Sequence, residues 1–521
     1  MEHYPPHIAT SYITPIHAYP ARSTSSVMAP RDEETVMSPG GDPTVKDPLA
    51  EAVSQMPPPN SIKKNELWYI HGRAYDLTDF INKHPGGPTV LLNTQGRDCT
   101  ALFEAFHPFT DRPAKLLAKM KEVKVSPDIL AEKCTDISQG NWFYLPDGTP
   151  DPFWAALKER CGKYMKENKV ERTMKWSTLL LHVFLLMIQP PLWWFGYLDA
   201  YPWYSHAAAV AMGVTTWIAG RLGHDGGHFA ISHHYWINRF FGNWAGLGLS
   251  NMSYWEILHN VDHHTDTNTE KDPDLYHYVY FLRDHPRYPW YIFHRLQVAR
   301  IYCYAVWSFT TAGLLMIEPM NMLLTGSGTR PPTVRLAKFR FFFWAKLVFH
   351  MLLFPTVMLG IPIWLLWDSN PNKGVVIAVR FASFVIYCAV TGVLFGLFSQ
   401  VNHFSEDCVA AASRNTSWAV RQVETAANFC VDSSFWSLIT AGIHIQIEHH
   451  LFPGLSSDRV LPLVPIVEQT CKEFGVNYKN FKTFPSILSS VHAYIDTLAY
   501  RVPRPAAKPK NAESTAVEVA E

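Results

Sequence analysis

Charge is scarce in this chain, and what there is cancels. Only 17% of its 521 residues are Asp, Glu, Lys or Arg, 45 basic against 45 acidic, where a soluble protein carries about 25%. That balance leaves no basic footprint, so no nucleic-acid partner is expected. Cysteine is thin as well. The eight Cys have no paired spacing, which argues against a disulfide scaffold and fits a reducing compartment. The opening Met1-Glu2-His3-Tyr4-Pro5 lacks a basic n-region and an apolar h-region. No cleavable signal peptide is expected, so membrane insertion has to come from internal segments.

What the chain does have is aromatic surface and histidine: 14% aromatics with 18 Trp, and 24 His, many of them clustered. Residues 1–62 are rich in Pro, Ser and acidic side chains with no apolar period, and read as a disordered arm. Residues 63–125 form a compact block of mixed pattern. A polar linker covers 126–175 and holds an amphipathic helix at 152–167, with Phe153, Trp154, Leu157 and Cys161 on one side. A membrane domain is expected over 176–490 and a second polar tail over 491–521.

A bilayer core takes roughly 20 apolar residues per helix. Segments 176–198, 202–220, 341–367 and 374–398 meet that, giving an all-α, four-span domain. Pro190-Pro191 predicts a kink in the first. Lys163, Lys166, Lys169, Arg172 and Lys175 precede the first span, Arg221 follows the second, and Arg335, Lys338 and Arg340 precede the third. By the positive-inside rule both termini and the 221–340 loop are cytoplasmic. Arg380, inside the fourth span, is expected to snorkel to the far surface.

Three histidine clusters follow span ends: His224-Asp225-Gly226-Gly227-His228, His259-Asn260-Val261-Asp262-His263-His264 and Gln446-Ile447-Glu448-His449-His450. Residues three or four apart share a helix face, so His224/His228, His259/His263 and Gln446/His449/His450 each aim together. His264 lies one step around, within reach of a second metal. A lone His such as His182 or His206 is a partly buried polar group; seven imidazoles in three clusters are a metal-site signal. His403, at the end of the fourth span, is an eighth candidate, with His444 as its competitor. Two spans between the second and third clusters bring all three to one face. Convergence then requires that the apolar stretch 301–325, with Glu318-Pro319 near its end, stay interfacial or re-entrant, because a buried unpaired carboxylate is expensive.

In the 63–125 block, His84-Pro85-Gly86-Gly87 puts a histidine before a turn whose missing side chains admit a flat ligand. His107 is the second histidine. Two such ligands make a six-coordinate haem suited to electron transfer. Imidazole suits Fe, Cu and Zn alike, but a one-electron donor beside the site favours iron, and the ligand number favours two ions.

With these motifs the sequence resembles the cytochrome b5-fusion front-end fatty acid desaturases over about residues 64–485. The resemblance rests on HPGG at 84–87, HDGGH at 224–228, HNVDHH at 259–264 and QIEHHLFPGL at 446–455. Gln446, where other membrane desaturases have His, is the most specific mark. It implies a small α+β haem domain with His84 and His107 as axial ligands to haem b. The implied di-iron site has His224, His228, His259, His263, His264, His403, Gln446, His449 and His450 as ligands. Also implied are O2 as co-substrate and NADH acting through NADH-cytochrome b5 reductase. The location is the endoplasmic reticulum, and the reaction a cis double bond at Δ4, Δ5 or Δ6 of a polyunsaturated acyl chain carried on CoA or phospholipid. Alternatives are a sphingolipid long-chain-base desaturase, a hydroxylase or acetylenase on the same site, and a non-catalytic haem-bearing membrane electron carrier. A zinc hydrolase leaves the haem motif unexplained.

Overall fold

Two extended stretches separated by His71 and Gly72, both at positive φ, make a tight hairpin of the type whose twist suits antiparallel strands. Its arms are β1 (Trp68–Ile70) and β2 (Arg73–Asp76), and β3 (Lys121–Val123) pairs antiparallel with β2. Helices α1 (Pro88–Thr94) and α2 (Thr100–Phe106) complete the small first body. Its core gathers Trp68, Ile70, Tyr75, Leu77, Ile81 and Leu91. Trp68 is fully buried and donates its indole N–H to the Leu91 carbonyl at 2.8 Å, so burying it leaves no polar atom unpaired. The computed structural model describes residues 67–134, 140–145, 147–278, 280–325 and 337–501. The expected arm over 1–62 lies outside the described residues, as does the tail beyond 501.

The linker helix forms where the periodicity places it. Helix α3 (Pro152–Glu167) starts on Asp151, whose side chain accepts from the Phe153 N–H, with Pro at its first turn, both favourable start signals. Phe153, Trp154, Leu157 and Cys161 are buried against residues of the second body such as Trp418, Phe452 and Val467. The flank of α3 at Trp154 and Lys158 also meets the first body: Trp154 Nε1 and Lys158 Nζ donate to Glu104 Oε2 at 3.0 and 2.8 Å. Helix α3 is therefore a wedge packed between both bodies.

Among the described residues, four helical stretches are long and apolar enough to cross a membrane: Trp176–Tyr197, Arg300–Leu324, Phe341–Leu365 and Lys373–Gln400. The number agrees with the sequence reading and the membership differs. Helix α5 (Pro202–Gly227), which follows α4 (Trp176–Met187), has the length to cross. Its composition falls short because Ser205, Thr216, Arg221 and Asp225 are polar; all four are buried inside the protein. Residues 300–324 qualify by composition instead. Arg300 pairs with both carboxylate oxygens of Asp496, Trp307 bonds Gln400 at 2.8 Å, and Glu318 bonds His277 at 2.7 Å and Tyr254. Glu318 is thus paired, not bare.

Large apolar side chains such as Trp176, Phe184, Phe195, Phe349, Leu352 and Trp364 stand exposed on these helices, as a lipid-facing belt requires. The helix is interrupted beside Pro190-Pro191: α4 ends at Met187, and a single α-helical turn, Gln189–Leu192, leads into a π-helical turn, Trp193–Tyr197. Arg380 departs from expectation. It does not snorkel; it is 2% exposed and donates to the carbonyls of Tyr197 and Asp199 at 2.6 and 3.0 Å. Those carbonyls end a helix in apolar surroundings, where a guanidinium supplies the missing donors. At the far end, a helix runs from Phe484 to Leu498 with Val491, Ile495 and Leu498 buried, through the boundary expected at 490.

Candidate metal centre and haem ligands

Each histidine box sits at the end of an element that aims it. His224 lies in the last turn of α5 and His228 caps it, its N–H bonding the His224 carbonyl at 3.0 Å. The intervening glycines have a packing reason. A Cβ on Gly226 would meet the Asn238 carbonyl oxygen at 2.8 Å, and one on Gly227 the Trp255 ring at 2.4 Å. The second box is not the α-helix that its i, i+4 spacing predicts. Glu256–His263 is a π-helix, whose wider turn carries the fifth residue on back over the first. His263 and His264 therefore both flank His259, with ring centroids 5.2 and 4.8 Å from it. The third box is α-helical, Gln446–Leu451, and splits its side chains between two groups.

Those groups hold the sequence candidates together. Ligand atoms of His224, His228, His259 and His449 lie within 4.8 Å of one another, as do those of His263, His403 and His450. His264 sits between them, 4.8 Å from His228 and His449 and 4.6 Å from His450 by ring centroids. Gln446 Nε2 is 3.2 Å from both His403 Nε2 and His450 Nε2, so its amide belongs to the second group. His444 does not join. It bonds Thr440 at 3.4 Å and edges Phe429.

The set fits cations. Both ring nitrogens of His228, His264 Nδ1, His449 Nε2 and Gln446 Oε1 are buried without hydrogen-bond partners among the described residues, an arrangement that is costly unless an ion fills it. Several imidazoles are held from behind at Nδ1. His224 meets Asp225 at 3.0 Å, His263 meets Asp272 at 2.9 Å, His403 meets the Thr425 carbonyl at 3.0 Å, and His450 meets Gln422 at 2.8 Å. Such partners orient the ring and leave Nε2 for a metal. Burial pushes His228, His259, His264, His449 and His450 well below the ordinary imidazole value, and His403 down to about 3. Neutral imidazole is the ligating form. His263 differs: burial opposes its charge, but Asp272 and Asp274 outweigh that and hold it up at about 9.

Sequence reasoning missed Asp274. Its carboxylate groups with His259 and His263 as a third possible ligand set and also meets His277 at 3.1 Å. The signal was Asp272-Pro273-Asp274, two carboxylates on a Pro turn shortly after a histidine box.

In the first body, His84 and His107 face each other with ring centroids 6.3 Å apart. Two imidazoles on opposite sides of one metal, with bonds of about 2 Å each, stand roughly this far apart. His107 Nδ1–H donates to the Phe103 carbonyl at 2.9 Å, freeing Nε2. Burial and the facing His107 push His84 down to about 4. The two glycines of HPGG also have packing reasons of their own. A Cβ on Gly86 would strike the His84 ring at 2.9 Å, and Gly87, at φ +83°, leaves room for Tyr235 of the second body.

Beside the histidines lies a cavity walled by His224, His259, His263 and Asp274 and by apolar side chains including Trp217, Leu249, Leu314 and Phe395.

Comparison with known proteins agrees with this geometry. The family model described as fatty acid desaturase matches residues 201–482, and that of the cytochrome b5-like heme/steroid binding domain matches residues 52–125. The chain is 28% identical to an acyl-lipid (8-3)-desaturase of Physcomitrium patens over 82% of this chain and 86% of the relative. It is 26% identical to a probable Delta(5) fatty acid desaturase C of Dictyostelium discoideum, over 82% and 90%. With a Delta(8)-fatty-acid desaturase 1 of Arabidopsis thaliana it shares 25%, over 84% and 91%. No solved structure matches the chain. The family implies iron at the histidine groups, and the first domain implies haem. With its four apolar helices, converging histidine boxes and fused haem-binding domain, the chain is an integral membrane oxidoreductase that belongs to the fatty acid desaturase family.

Proposed function

We propose that this desaturase is a front-end enzyme, inserting a cis double bond between an existing one and the carboxyl end of a polyunsaturated acyl chain. One observation carries the reading: eight imidazoles and Gln446 meet at two adjacent groups, and His224, His259, His263, His403 and Gln446 among them line a cavity whose remaining wall is largely apolar. Bound iron would supply, with O2, the oxidising power to take one hydrogen from each of two adjacent, inert methylenes. The protein's own part is placement. Asp225, Asp272, Gln422 and the Thr425 carbonyl fix the imidazoles. Leu249, Leu314 and Phe395 hold an apolar chain against them and keep water away.

His224, His228, His259 and His449 are proposed to hold one ion, and His263, His403, His450 and Gln446 the other, with His264 between. His84 and His107 are proposed to hold haem b, which would take up single electrons supplied by NADH through cytochrome b5 reductase. The oxygen and nitrogen of the Gln446 amide are alike in shape, so with the amide turned over Oε1 would face His403 and His450 as the ligand atom. Glu318, bonded to His277, supports keeping that end of the 300–324 stretch on the metal side. The cationic flanks support a cytoplasmic metal centre in the endoplasmic reticulum membrane. The acyl carrier is proposed as CoA or phospholipid; five relatives are named acyl-lipid desaturases. Relatives named for Delta(5) and Delta(8) widen the positions to test from Δ4–Δ6 to Δ4–Δ8. Expression in yeast with a panel of polyunsaturated acids, and mass-spectrometric location of new double bonds, tests the proposal. Conversion of none of them, with iron and haem bound, would refute it.

A further inference from the structure

Phe106 stands between the two centres. It immediately precedes His107 in sequence, and its ring stacks on His228 with centroids 6.1 Å apart and planes inclined by 27°. The haem-ligand candidate and the metal-ligand candidate are therefore joined by one aromatic side chain and one peptide step. A core phenylalanine packs against whatever aliphatic surface is near; this one stands offset and nearly parallel to a buried imidazole whose ring nitrogens have no hydrogen-bond partner among the described residues.

The surrounding interface fixes that contact. Gly454 lies against Phe106, where an added Cβ would sit 3.4 Å from the ring. Phe109 packs on Phe452, centroids 5.0 Å apart. Arg97 pairs with Asp262, the residue before His263. Glu104 accepts from Trp154 and Lys158 on the wedge helix. Aromatic packing with buried charge pairing is the mark of a settled dock, not of a transient encounter held by a polar rim.

We propose that Phe106 is the relay through which each electron passes from the haem at His107 to the metal group at His228. This rests on the desaturase reading above. In each transfer one electron leaves ferrous haem, which becomes ferric, and reaches a ferric ion of the histidine site, which becomes ferrous. No bond forms or breaks and no proton moves. A nicotinamide-dependent reductase restores the ferrous haem.

The test uses the oxidised full-length protein carrying haem and iron, without acyl substrate or oxygen. A laser flash with a photoreductant puts one electron on the haem, and the ferrous absorption band is followed as it decays. The wild-type band decays when iron is bound and persists when iron is removed. Phe106→Leu keeps apolar bulk but no ring. Its decay slows roughly tenfold, the low end for losing a group packed on a metal-ligating imidazole, while haem content and reduction by NADH and reductase stay unchanged. Phe106→Tyr restores the rate. Lys158→Glu, which touches neither centre, sets like charges against Glu104, loosens the same dock and slows the decay. A wild-type rate in Phe106→Leu or in Lys158→Glu, with both cofactors held, overturns the relay. No decay in iron-loaded wild type overturns instead the reading that this haem feeds the histidine site.

Discussion

Replacing Glu104 by Gln removes a charge that the haem domain and the wedge helix hold jointly. Its carboxylate is 11% exposed and accepts from His71 at 3.0 Å, Trp154 at 3.0 Å and Lys158 at 2.8 Å. Burial opposes ionisation, yet these partners outweigh it and hold the carboxyl at about 2 instead of 4.5. A difference of that size corresponds to ~3 kcal/mol in favour of the ionised folded form. Gln keeps part of the hydrogen bonding, so the expected loss at pH 7 is ~2 kcal/mol. For a domain of this size that lowers the melting point by about 8–16 °C. The depressed value fixes the sign of the pH effect. The stabilisation is complete above about pH 4.5 and disappears as pH falls toward 2. Heating purified protein in detergent while following the haem band, across a pH series, reads both features. Wild type and Glu104→Gln should differ at pH 7 and converge in acid. Equal melting at pH 7 would refute the claim that this cluster ties the haem domain down.

Purified protein should contain two non-haem irons and one haem b per chain by metal and haem analysis; zinc, or a single iron, would remove the di-iron assignment. His403→Ala should lose iron while His444→Ala retains it, because only His403 meets His263, His450 and Gln446; the reverse result would exchange their roles. Gln446→Ala should cost most desaturation while the protein still inserts in the membrane, and near-normal turnover would make Gln446 a neighbour only. His84→Ala or His107→Ala should abolish the haem band and NADH-driven desaturation but leave non-haem iron bound. His263→Ala or His449→Ala should do the reverse, with haem still reducible and no new double bond; full-rate desaturation by the haem-ligand variants without added cytochrome would show that the fused domain is not the required donor.

The local patterns were the legible part. The period of 152–167 gave α3 and its buried face, the Pro190-Pro191 pair gave the break after α4, and histidine spacing singled out the residues that meet at one place. These follow from neighbours a turn apart, where geometry depends on sequence distance alone. The second box was only half legible. Its residues were found, but a π-helical turn was not foreseen, since the choice between i→i+4 and i→i+5 bonding depends on what packs around it. Asp274 escaped because the Asp272-Pro273-Asp274 run after the second box reads equally as an ordinary Pro turn, and only the folded chain brings its carboxylate to His263.

Composition likewise separates what the chain fixes alone from what packing decides. Hydropathy counts four spanning stretches, but which of α5 and 300–324 is clad in protein depends on partners far along the chain. Arg380 makes the same point: sequence shows a cation in an apolar run, and only the tertiary structure supplies the carbonyls of Tyr197 and Asp199 that keep it inside. The sequence by itself determined the chemistry available, a pair of haem-type histidines and three boxes of metal-type histidines. The tertiary structure alone decided how they divide into groups, which carboxylates back them, and that Phe106, next to His107, stands beside His228. Long-range contacts cost chain entropy that no local pattern records, so they are selected by the fit of the whole packed interior.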